Sequence, residues 1–409
     1  MNSEELIPHL FRIEYRKITS VLCKRFGFEQ IEAAEDIASD TFLTASETWA
    51  TNGLPPNPTA WLYTVAKNKA RNHLQRNQLF DDKIAPELWD AASGDSAGEI
   101  DLSPHNINDS QLQMMFAICH PSLSTEAQIA LSLRILCGFG IDEIADAFLT
   151  SKETINKRLF RGKEKLREER IQIEMPGAFE IEARLGTVLR TIYLLFNEGY
   201  YSSSGNRTLR RDLCLEAMRL CTMLVENAGT GTPGASALLS LMCFHSSRFD
   251  ARTDPDGQLV LYDDQDTSLW DADLIRKGEY HLNASARGDT ISKYHLEAGI
   301  AYWHTHKDDT QEKWENILQL YNQLLQIEYS PVVALNRTYA LSKANGKEEA
   351  IVEAGKIHLT GNHLYHLLLG DLYTGIDNGK ARLGFERALA LVKSPAGKQA
   401  IQKKIDGLS

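Results

Sequence analysis

Residues 111–168 carry the pattern of a helix-turn-helix, and residues 1–78 carry that of a second, unrelated helical module. Between them, residues 79–110 form an acidic stretch dotted with proline, serine and glycine; it lacks apolar periodicity and reads as a flexible linker. This order constrains the chain more than any other feature. Two nucleic-acid-reading modules on a tether suit a protein that touches two separated DNA sites at once.

The charge pattern supports that reading. The net charge of −11 seems wrong for a DNA-binding protein, but the negative charge is localised. Residues 79–110 hold eight acids and one lysine, a contribution of −7. Residues 61–78 hold Lys67, Lys69, Arg71 and Arg76 and no acid, and residues 151–170 hold eight basic and four acidic residues. Positive charge is therefore concentrated in two helices, with the opposite sign on the linker.

Almost everything reads helical. Residues 1–50 suggest three amphipathic helices, Leu54 to Pro58 a sharp loop, and Thr59 to Gln78 a further helix. Met175-Pro176-Gly177 breaks the chain and marks an expected domain boundary. Residues 178–227 read helical, Gly229 to Gly234 reads as a loop, and from Trp314 onward helix pairs suggest a solenoid-like stack. The one strand-like alternation is Gln258 to Tyr262, after an Asp254-Pro255-Asp256-Gly257 turn.

In the helix-turn-helix, Gly140 to Phe148 gives a short first helix whose core side is Ile141, Ile144, Ala145 and Phe148. Leu149-Thr150 makes the turn, and Thr150 with Glu153 forms a capping box that starts the next helix. There Ile155, Leu159, Gly162 and Leu166 face the core. Thr154, Asn156, Lys157, Arg158, Arg161 and Lys165 are left for DNA, as a recognition helix requires.

In the first module, Ala33 to Leu43 is an acidic amphipathic helix. The segment Asn57 to Arg76 mixes aromatics with amides and cations, including Trp61, Tyr63, Lys67, Asn68, Arg71 and Asn72. Aromatic faces stack on unpaired bases while cations follow the backbone, and the loop beside such a helix can hold an extruded base. A core role for Trp61 is the competing reading.

These motifs, in this order, resemble sigma factors of bacterial RNA polymerase, of the extracytoplasmic-function group. Ala34 to Phe42 resembles the family helix that docks on the clamp helices of the largest polymerase subunit, with Ser39 where glutamine is usual. The resemblance implies core-polymerase contacts by Glu35, Asp36, Ile37, Asp40 and Phe42. It implies −10 promoter contacts by Asn57, Trp61, Tyr63, Lys67, Asn68, Arg71, Asn72 and Arg76. Asn72 stands where the family often has aspartate, and Asn52 to Thr59 stands where the family captures a flipped base. Thr150 to Arg167 resembles the −35-reading helix, and the acidic linker resembles the segment that threads toward the RNA exit path near the flap. Further motifs look like the subgroup with a C-terminal tetratricopeptide-type extension: Ile118 to Pro121, Ile192 to Tyr200 and Asp256 to Asp266. Gly370, Tyr373, Ala381, Phe385 and Ala388 fit much of one such repeat, with the gap from Tyr373 to Ala381 one residue short.

Other chemistry is weak. The six cysteines are scattered without a C-x-x-C pair and read as buried thiols of a reducing compartment, so no metal site is expected. Cys119-His120 are adjacent on a helix and point apart, so no catalytic pair is expected. Asp263, Asp264, Asp266 and Asp271 lack calcium-loop spacing and read as turn and cap residues. Asn197 to Tyr200 reads as a helix end with Gly199 in the left-handed region. No phosphate-binding glycine loop occurs and no run is apolar enough to span a membrane.

The expectation is an all-α, cytoplasmic, non-enzymatic initiation factor without cofactors. It has sigma region 2 at 1–78, the acidic linker at 79–110, sigma region 4 at 111–176, a helical extension at 177–312 and tetratricopeptide-like repeats at 313–409. Its expected partners are core RNA polymerase and promoter DNA, and the concave repeat surface offers a place for a protein or small ligand. The alternative is a polymerase-independent helix-turn-helix regulator with a repeat sensor.

Overall fold

The computed structural model describes residues 3–84, 100–148, 150–201, 207–252, 260, 262–392 and 395–408. Among these the regular structure is helical, and the chain divides into two compact units, residues 1–230 and 231–409.

The first unit opens with α1 (Ser3–Phe26), α2 (Ile31–Asn52) and α3 (Pro58–Ile84). Two α-helices, not three, cover the described residues up to position 50: Gly27, with a φ of +77°, ends α1, and after a short 3-10 turn α2 runs unbroken to Asn52. Tyr15, Ile18, Leu22, Phe42, Trp49 and Leu62 are buried among these helices. Residues 85–99, most of the expected linker, lie outside the described residues; helix covers its two ends, because α3 runs to Ile84 and the next helix starts at Pro104.

That next helix is α4 (Pro104–Ile118), capped by Ser103, and α5 (Thr125–Leu131) follows. A π turn, Ser132–Leu136, continues α5, with Cys137 N–H donating to Ser132 O at 3.0 Å. The helix-turn-helix itself is α6 (Ile141–Ala147) and α7 (Lys152–Glu168). At Gly162 the helices meet closely: a Cβ there would sit 2.9 Å from Leu131 Cδ1, so glycine lets α7 lie directly on α5.

The hairpin of α8 (Ala178–Tyr201) and α9 (Arg207–Glu226) belongs to this first unit, so the expected boundary at 175–177 is not where the compact units part. The Met-Pro-Gly break ends a helix, but Leu185, Val188, Leu189 and Ile192 of α8 are buried, and Thr191 Oγ1 donates to Gln128 Oε1 of α5 at 3.1 Å. Gly199 is also not a left-handed cap. The helix continues through it to Tyr201, keeping Phe196 and Tyr200 stacked one turn apart at 5.6 Å.

The second unit comprises α10 (Pro233–Ser246), α11 (Ala272–Ser285), α12 (Lys293–Trp303), α13 (Gln311–Ile327), α14 (Pro331–Ala344), α15 (Lys347–Ala354), α16 (His363–Tyr373), α17 (Asn378–Leu391) and α18 (Pro395–Asp406). The alternating stretch 258–262 falls mostly outside the described residues, and Tyr262 opens a 3-10 turn instead. Consecutive helices pair from α13 onward around Trp314, Ile317, Leu335, Leu341 and Leu368. In the α16–α17 pair, Phe385 lies against Gly370, where any Cβ would overlap its ring. All six cysteines are buried, and burial pushes the thiols of Cys119, Cys137 and Cys243 up to about 12.

Candidate nucleic-acid interface

The helix-turn-helix has one face in the core and one in solvent. Ile155, Leu159, Gly162 and Leu166 are buried, as helical spacing requires. Ser151, not Thr150, is the N-cap: its Oγ accepts from Thr154 N–H at 3.2 Å. Thr150 N–H instead donates to Ala145 O at 3.0 Å, which holds Thr150 within the turn. In α6 the Glu143 carboxylate caps the Gly140 N–H at 2.7 Å.

On the solvent face of α7, Asn156, Lys157 and Arg161 are exposed, and Arg158 and Thr154 are half-buried. Phe160, which the sequence reading did not single out, shares this face and is 64% exposed. An apolar ring there is the signal that could have drawn attention to it. Lys165, in the last turn, is paired with Glu169 at 2.8 Å. The face thus offers cations, an amide and an aromatic ring along a helix of about 25 Å, a length suited to a major groove.

Along α3 the polar positions fall on the outer side. Asn68, Arg71, Asn72 and Arg76 are exposed, and Lys67 is half-buried. Asn57 is exposed, and its Oδ1 accepts from Ala60 N–H at 3.0 Å at the start of the helix. Trp61 is half-buried, edge-on to Trp49 with centroids 5.4 Å apart. Tyr63 donates its hydroxyl to Glu14 Oε2 at 2.6 Å. Burial first, and the Glu14 carboxylate second, push that phenol well above its usual range.

The acidic helix α2 is less open. Asp36 and Asp40 are exposed, Asp40 paired with Lys69 of α3, while Ile37 and Phe42 are buried. Glu35 is only 8% exposed. Its Oε1 accepts from Arg134 Nε at 3.0 Å, and its Oε2 accepts from Lys163 Nζ. Arg134 also donates to Phe139 O and to Tyr15 Oη, both at 3.2 Å. Burial, countered by Arg134 and assisted by Glu35, pushes the Tyr15 phenol up to about 12. Arg134 and Lys163 were invisible to the sequence reading, because they lie 99 and 128 positions from Glu35.

The remaining candidates settle into structural roles. His120 Nδ1 lies 2.8 Å from Ser122 Oγ, and the adjacent Cys119 is a buried thiol. Asp266 caps the Ser268 N–H at 2.9 Å, and Asp271 caps Asp273 and Leu274 at the start of α11. The backbone carbonyls of Tyr262, Asp263 and Gln265 accept from Lys307 Nζ at 2.6–3.3 Å.

A helix-turn-helix with an exposed cationic face, following a module with an aromatic-basic helix, defines a DNA-binding transcription factor. Sigma-70 region 2 matches residues 10–80, and sigma-70 region 4 matches residues 115–166. A family of unknown function, DUF6596, matches residues 184–286. An uncharacterized protein of Rhizobium meliloti (strain 1021) is 33% identical over 388 residues, spanning 93% of this chain and 91% of that protein. An ECF RNA polymerase sigma-E factor of Haemophilus influenzae is 28% identical over 116 residues, spanning 27% of this chain and 60% of that protein. No solved structure matches the chain significantly. The two sigma-70 matches, together with the sigma-E relative, support a sigma factor of the extracytoplasmic-function type. No helix among the described residues is long and apolar enough to cross a membrane.

Proposed function

We propose that this sigma factor binds core RNA polymerase through α2 and carries it to promoters whose two elements are read by α3 and α7. Glu35, Asp36, Ile37, Asp40 and Phe42 supply the docking helix. Asn57, Trp61, Tyr63, Lys67, Asn68, Arg71, Asn72 and Arg76 receive the opened −10 strand, with the loop 52–59 as the pocket for an extruded base. Unstacking costs a few kcal/mol per step, and stacking each base on an aromatic side chain returns about 1–3 kcal/mol. Thr154, Asn156, Lys157, Arg158, Arg161 and Lys165 read the −35 duplex, and Phe160 offers an apolar contact for a thymine methyl. Polymerisation belongs to the core enzyme.

The observation that carries this reading is the solvent face of α7, where Asn156, Lys157, Phe160 and Arg161 stand exposed on a capped helix. The C-terminal helices regulate or support this activity. Their paired packing, with Phe385 against Gly370, supports a tetratricopeptide-like stack whose concave side takes a partner.

The test is transcription in vitro over a fragmented genome with core polymerase and either the whole chain or residues 1–230. That cut leaves α8 and α9 in place. Specific starts with the whole chain are expected. No starts and no core binding from either protein would favour a regulator acting without polymerase. Weaker transcription after the cut makes the second unit part of the working factor, and stronger transcription makes it an inhibitor.

A further inference from the structure

The first unit holds its docking helix against its own helix-turn-helix. Glu35 of α2 is gripped by Arg134 and Lys163, while Glu32 is paired with Arg167 and lies 3.6 Å from Lys163. Arg167 also donates its Nε–H to Phe28 O at 3.0 Å. The grip depends on local backbone geometry. Arg134 lies within the π turn 132–136, and the extra residue in such a turn re-aims the side chains around it. A buried carboxylate without partners is costly, so Glu35 is tolerated in this position because each of its oxygens is taken by a cation. With Glu35 only 8% exposed, its carboxylate is closed to an outside partner while this grip holds.

A second contact set reinforces the first. Glu216 of α9 bonds Arg16 of α1 and accepts from Arg219 Nε at 2.8 Å. Arg219 donates onward to Leu136 O at 2.8 Å, at the end of the π turn, and to Gln111 Oε1 of α4 at 3.2 Å. One helix of the DUF6596-matching segment thus fastens the first module to the second.

The spacing of the DNA faces points the same way. Gln30 beside Phe28 bonds His73 of α3, and Arg167 of α7 bonds Phe28 itself. These two bonds hold the C-terminal end of α7 close to α3, and α7 from Asn156 to Arg167 rises only about 17 Å. Elements centred at −35 and −10 are separated by roughly 85 Å of duplex at about 3.4 Å per base pair.

We propose that this conformation is a self-masked state. Arg134, Lys163 and Arg167 of the second module latch the Glu32–Glu35 end of α2, and α9 is the clasp. The partner that opens it is a cation-bearing protein surface that replaces those three groups on Glu35 and Glu32. The inference rests on the polymerase-binding reading above only for the identity of that partner.

The test uses the full chain with spin labels at Thr64→Cys on α3 and Glu153→Cys on α7, both exposed positions. A single short distance is expected in the wild-type background. Glu32→Arg should lengthen it, and Glu32→Arg combined with Arg167→Glu should restore it, which separates unlatching from misfolding. Glu216→Gln should lengthen it to a lesser extent. Lys163→Glu with Arg167→Glu should raise affinity for core polymerase about tenfold, as expected if the open form is a minor population of about one tenth. A long or broad distance in the wild-type background would overturn the latch, as would unchanged distance and affinity in the opened variants. If the distances respond as described but no variant binds core polymerase, the latch stands and the polymerase reading fails.

Discussion

The helices α2 and α7 carry net charges of −5 and +4 and use them in opposite ways. On α7 the side chains of Asn156, Lys157 and Arg161 point outward, and removing them should leave the fold untouched. On α2 the central carboxylate, Glu35, is buried between two cations of the other module. What differs is solvation. An exposed charge is held by water and is available to a ligand, whereas a buried one must be matched inside the protein and is available only when that match is broken. The comparison teaches that an acidic helix face proposed for docking can be engaged with another part of its own chain.

The sharpest way to break this contrast is Arg134→Ala. It strips Glu35 of one partner and leaves Tyr15 Oη and Phe139 O without their donor, so a loss of about 3 kcal/mol in urea unfolding is expected. A change below about 0.5 kcal/mol would mean that α2 is no more committed than α7. Arg161→Ala is the mirror test. Unfolding should stay within about 0.5 kcal/mol of wild type. If Arg161 reaches a guanine edge, −35 affinity should fall by about 1–3 kcal/mol with altered base preference, read by anisotropy on duplexes with core polymerase present.

A third measurement sets the two compact units against each other. Burial, reinforced by Arg248 and Lys313, holds His304 down to about 3 from its ordinary 6.5. Between those values the unfolded chain binds a proton that the folded chain does not, so stability is full above pH 6.5 and falls as pH drops toward 3. Hydrogen exchange at pH 7 and pH 5 should show protection in residues 231–409 declining by at most about 1.4 kcal/mol per pH unit from this group. The smallest effect belongs to the turn before α7. Ser151→Ala should cost about 0.5–1 kcal/mol, and Thr150→Ala should cost less, because only Ser151 caps the helix.

Periodicity was a sound guide where each helix buries a stripe along its own length. Ile155, Leu159, Gly162 and Leu166 were legible as the inner face of α7, and the polar residues of α3 as its outer face. The cap slipped by one residue because Thr150 and Ser151 are adjacent hydroxyls with Glu153 within reach of either. The boundary at 175–177 misled for a deeper reason. A proline and a glycine end a helix locally, but whether the next helix leaves the domain depends on the surface that its apolar face meets. Leu185 and Val188 meet the core of the first unit. The partners of Glu35 were beyond reach, since nothing in local spacing ties position 35 to positions 134 and 163.

The six buried cysteines give the molecule an internal clock. Burial holds the thiols of Cys119 and Cys137 well above their ordinary range and away from any surface where a reagent could meet them. Alkylation must therefore wait for the chain to breathe. The rate at which Cys119 and Cys137 react counts openings of the promoter-reading half, and the rate at Cys243 counts those of the other unit.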